Sequence, residues 1–136
     1  MTSTADLLAA ISAHLAAFEL PAIASVRVEA SPPGPPVTVQ LPHHGPAALA
    51  QGLLAWADTL TQITAEAWRA PQGDSVHLSI TGILPGGAGV QVYGGLHVSD
   101  LRMSTGLEPG ATTTVPLTTL RHLATPGQAR EGVTLR

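Results

Sequence analysis

The chain has no cysteine, no lysine and no asparagine. Without cysteine there is no disulfide framework, no thiol nucleophile and no cysteine-ligated metal site. Without lysine there is no Walker-type phosphate loop, which needs that cation after its glycines. Six arginines (Arg27, Arg69, Arg102, Arg121, Arg130 and Arg136) are the whole set of permanent cations, and the net charge is −3. They are scattered, so no basic stripe exists for phosphate contacts, and nucleic acid is not an expected partner. Charged residues make up 11% of the chain, against roughly 25% in ordinary domains. Its surface must therefore be built largely from apolar, Ser, Thr and Gly groups, and such surface often ends in subunit contacts. No apolar run approaches the roughly 20 residues that span a bilayer. The start, MTSTADLLAAISAHL, has no positive segment ahead of its apolar positions, which makes it a poor signal peptide. The expectation is a cytoplasmic protein without membrane contact.

What is present suffices for one folded unit. At 136 residues and 44% apolar content, the chain can bury about two thirds of its unfolded surface. Residues 3–18 read as a helix: Ser3 can cap it, with Asp6 in a capping-box position. Leu7, Leu8, Ile11, Leu15 and Phe18 supply its apolar stripe, and Pro21 ends it. Residues 24–30 alternate as a strand, SPPGPP (31–36) is a turn, and VTVQL (37–41) returns as a second strand. LPHHGP (41–46) reads as a turn that ends this strand and opens a helix over 46–60, where Leu49, Leu53, Trp56 and Leu60 form one stripe. Period-two alternation then marks strands at 61–70, 75–84 and 89–98, joined by PQGD and PGGAG, which have hairpin chemistry. DLRMSTGLEPGATTT reads as loop, and 116–123 as a short helix capped by Thr113 or Thr114. The expected fold is α+β: two helices packed on an antiparallel sheet, in the order α-β-β-α-β-β-β, with a short C-terminal helix. Residues 1–124 form the domain and 125–136 a flexible tail.

No motif for catalysis is present. There is no Gly-x-Ser-x-Gly elbow. The glycine-rich run TGILPGGAGVQVYGG is followed by a strand where a dinucleotide fold needs a helix, so it reads as a hairpin. Within it, Gly94-Gly95 marks a bulge or a close backbone approach. No two of the six histidines have zinc-ligand spacing. The sharpest metal alternative joins His77 and His97, on neighbouring strands, with Glu66 on a third. The same parity puts Trp68 out of phase with Ile63, Ala65 and Ala67. Trp68, Tyr93, His77, His97 and Glu66 then share one sheet face, an interaction surface carrying the residue types that dominate binding hot spots.

The segment LLAWADTLTQITAEAWRAPQGDSVHLSITGILPGGAGVQVYGG, about a third of the chain, resembles stretches of small uncharacterised actinobacterial proteins of the Streptomyces type. The joint absence of Lys and Asn, whose codons are AT-rich, agrees with a GC-rich source. The resemblance implies a mobile-element or regulatory setting and carries over no catalytic residue.

These readings converge on a non-enzymatic interaction or regulatory accessory module that uses no cofactor, forms a homodimer and engages a protein partner. Two alternatives stand beside it. One is a small-molecule or metal-binding protein, enzymatic or not, using His77, His97 and Glu66; the other is a DNA-associated regulator.

Overall fold

The computed structural model describes residues 2–101 and 107–125. Six strands form one sheet in the order β1-β2-β5-β4-β3-β6: β1 Ser25–Val28, β2 Val37–Gln40, β3 Thr61–Arg69, β4 Ser75–Ile83, β5 Gly89–His97 and β6 Thr112–Thr114. The helices are α1 Thr4–Ala17, α2 Pro46–Ala57, the single turn α3 Val98–Leu101, and α4 Leu117–Ala124. The α+β class and the order of its first seven elements are as the sequence indicates. The expected tail over 125–136 lies outside the described residues apart from Thr125.

Strand period two sets the layering. In β4, Val76, Leu78 and Ile80 are buried while His77, Ser79 and Thr81 are half-buried; in β5, Val90, Val92 and Leu96 are buried while Gln91 and Tyr93 are half-buried. The buried set joins Leu49, Leu53 and Trp56 of α2, Leu7 and Ile11 of α1, and Leu120 and Leu123 of α4 in one core. All three long helices therefore cover the same side. Among the described residues no element covers the other.

Four expectations need correction. The sheet is mixed, because β2 runs parallel to β5, with Val39 opposite Val92. The loop-like segment after residue 100 contains β6, whose Thr114 and Thr112 pair with Glu66 and Trp68 of β3; its backbone finds donors and acceptors on a long strand edge that local sequence does not reveal. The α1 stripe is Leu7, Ile11 and His14, which is 4% exposed, whereas Leu8 and Phe18 are 51% and 40% exposed. α4 begins at a Pro116 cap with no side-chain hydrogen bond, so neither Thr113 nor Thr114 caps it. The Ser3–Asp6 capping box of α1 is present as expected.

Two glycines set how α2 meets the sheet. Gly45 has φ of 94°, a conformation only glycine adopts freely, and turns the chain from His44 into Pro46 and α2. Gly94 faces the helices, where an added Cβ would collide with the Leu49 side chain. α2 thus rests directly on the β5 backbone, the close approach the Gly-Gly pair suggested.

Candidate functional site

The helix-free face is built from the register of the three long strands. Trp68 of β3 lies opposite His77 of β4, and His77 lies opposite Gly95 of β5. Because Gly95 has no side chain, the His77 ring can lean over it toward Tyr93, its diagonal neighbour. The outcome is a continuous row. Trp68 and His77 meet edge to face with centres 5.1 Å apart, and His77 stacks on Tyr93 at 5.9 Å, 16° from parallel. Trp68, at the end of this row, is 37% exposed, so about a third of a large indole meets water. The three rings, with Ser79 and Gln91, line a shallow hollow of about 330 Å³.

The other two expected residues sit apart from this row. Glu66 pairs with Ser79, one step further along the sheet, and His97 pairs with Ser75 at the strand end. Glu66 and His97 are therefore separated by about 13 Å along the strand direction alone. Among the described residues no three His, Asp or Glu side chains converge as a metal ion requires. His77, His97 and Glu66 are one surface but not one coordination sphere.

His97 has a different neighbour, which sequence reading placed in a turn. The imidazole of His43 lies edge-on to it with ring centres 6.2 Å apart. The β2–β5 ladder explains the position. Leu41 N–H donates to Tyr93 O at 2.9 Å, after which Pro42 diverts the chain. The next acceptor along β5, Gly95 O, receives Nδ1–H of His43 at 2.9 Å instead. A side chain thus supplies the donor that a longer β2 would have supplied. His43 and His97, with Gln40, Pro42 and Ser75, border a hollow of about 350 Å³ at this end of the sheet. His44, by contrast, turns toward a separate, mostly apolar hollow beside α2. The signal for His43 was the proline before it, which marks where a strand must stop pairing; its acceptor, 52 residues away, carried no local mark.

Two of the arginines among the described residues have partners within the chain. Arg69 donates from Nε and Nη2 to Gly73 O and from Nη1 to Leu107 O, tying two loops together. Arg27 lies 3.5 Å from Glu29, with both side chains largely in solvent. No helix among the described residues is long and apolar enough to cross a membrane. Comparisons of the chain with protein-family models, curated proteins and solved structures find no match.

Proposed function

We propose that this chain is a non-enzymatic, cytoplasmic interaction module of regulatory type, and that a second copy of itself is the first partner of its open sheet face. The observation that carries the reading is the Trp68–His77–Tyr93 row on a face that none of the described helices covers. Aromatic side chains supply much of the energy at interface hot spots. Three strands of nine residues and the shorter flanking strands present about 600 Å² per copy at ordinary strand spacing, so a face-to-face pair would bury about 1,200 Å², the lower end of stable specific interfaces. Charge favours a twofold pairing as well. Of the ladder positions on this face, Arg27 is charged near one edge and Glu66 near the other. A twofold axis along the strands places Arg27 of one copy over the β3–β6 side of the other, where Glu66 lies. The exposed Arg27–Glu29 pair would compete weakly, since such pairs are worth little in water.

The DNA-associated alternative draws little support from this face, where Arg27 is the single arginine among the described ladder positions. Sedimentation and light scattering test the main reading. The expected result is a dimer at low micromolar concentration that Trp68→Glu converts to monomer with an unchanged circular dichroism spectrum. A wild-type monomer at high micromolar concentration would overturn it.

A further inference from the structure

We infer that His43 and His97 form half of a divalent transition-metal site, completed by the same pair from a second copy, so that the metal clamps the dimer. The inference rests on the self-association proposed above and goes beyond it by naming a ligand and its residues. The tautomer of His43 is the first argument. Gly95 O can only accept, so Nδ1 of His43 carries the proton in their 2.9 Å bond. Its Nε2 then presents a lone pair to solvent. An imidazole whose other nitrogen donates to a backbone carbonyl is the usual form of a metal ligand, because the second bond fixes ring orientation and raises basicity.

Separation is the second argument. Two imidazoles on one zinc ion, with Zn–N near 2.0 Å, hold their ring centres roughly 5–6 Å apart. The ring centres of His43 and His97 are 6.2 Å apart and both residues are exposed, so the His97 ring is free to turn toward an ion held by Nε2 of His43 while the His43 bond to Gly95 O is kept. A tetrahedral zinc site takes four ligands, or three and a water, and no third His, Asp or Glu converges here among the described residues. An ion held by this pair would draw its remaining ligands from outside this set. β5 is one of the two central strands of the open face, so the twofold pairing proposed above can place the equivalent histidines of the second copy against this end. Imidazole ligands select zinc, nickel or copper over magnesium or calcium.

Tag-free protein is titrated with zinc chloride by calorimetry and followed by sedimentation, with EDTA as the metal-free reference. Half an equivalent of zinc per chain is expected, with dimer dissociation weakened by about tenfold or more. His97→Gln should abolish both effects. His43→Gln should do the same. His44→Gln, the adjacent histidine facing another hollow, should change neither. A metal-free dimer that is lost in Trp68→Glu but binds no zinc overturns this inference and leaves the self-association reading intact. Binding of a full equivalent per chain without tightening of the dimer overturns the shared site, as does equal loss in His44→Gln. A chain that stays monomeric with and without zinc overturns both readings.

Discussion

The imidazole of His14 stacks on the indole of Trp56, ring centres 5.5 Å apart and planes 26° from parallel. This pair fastens α1 to α2. The hydroxyl of Thr59 donates to Trp56 O at 2.7 Å, so at its 2.8 Å contact with His14 the oxygen accepts from Nε2–H. Nδ1 is then the unprotonated nitrogen, buried without a hydrogen-bond partner. Burial pulls the pKa of His14 below its ordinary value of 6.5, because the charged form is poorly solvated there.

The first prediction follows from linkage. A histidine whose folded pKa lies below its unfolded value binds more protons when unfolded, so stability rises with pH through the window between the two. Its stabilising contribution is complete above pH 6.5 and is lost as pH falls toward the folded value. Urea midpoints measured between about pH 7.5 and pH 5 should decline, and the decline should be shallower in His14→Leu. An identical pH slope in that variant would show that another group is responsible.

Arg69 should resist conservative replacement. Its guanidinium reaches Gly73 O with two nitrogens and Leu107 O with a third, a forked geometry that a lysine ammonium does not reproduce. Arg69→Lys should lower stability by about 1–3 kcal/mol, the range for lost hydrogen bonds to a charged group. Chemical denaturation measures it, and amide exchange should rise first in the 70–74 loop. A midpoint equal to wild type would mean that the fork contributes nothing.

Ser3→Ala removes the side-chain acceptor of Asp6 N–H, 3.1 Å long, at the start of α1. The expected cost is about 1 kcal/mol. The double variant Ser3→Ala/Asp6→Ala should cost less than the sum of the two single changes, because the capping box is reciprocal. Strict additivity in denaturation midpoints would argue that the two contacts act independently.

What could be read from the sequence follows from how local its cause is. The β3-β4-β5 meander was legible because period-two alternation and hairpin loops are both short-range signals, and parity alone put Trp68, His77 and Tyr93 on one face. Their contact needed one more fact, that the residue facing His77 is glycine. The parallel seam between β2 and β5 left no trace in either strand, since both read as ordinary alternating segments whatever their neighbour. β6 was invisible for a similar reason: three threonines pair because β3 offers an edge. His14 was legible and overlooked. It lies in phase with Leu7 and Ile11, but a titratable side chain on an apolar stripe is easily assigned to solvent. His43 depended on an acceptor exposed by strand geometry 52 residues away, and no local pattern encodes that.

The contact between Gly94 and Leu49 supplies the last prediction. A methyl group added at Gly94 would run into the Leu49 side chain, and α2 cannot retreat without opening the core around Leu53 and Trp56, both fully buried. Gly94→Ala should therefore cost about 1–3 kcal/mol by overpacking. Leu49→Ala alone should cost about 2–5 kcal/mol by leaving a cavity. In the double variant the new methyl occupies part of that cavity, so its total cost should fall below the sum of the two single costs by 0.5 kcal/mol or more, about the range for residues in contact. Urea denaturation of all four proteins gives the coupling directly. A sum equal to the double-variant cost would mean that the sheet and helix separate to relieve the clash. Increased exposure of the Trp56 indole, read by its fluorescence, would then accompany Gly94→Ala.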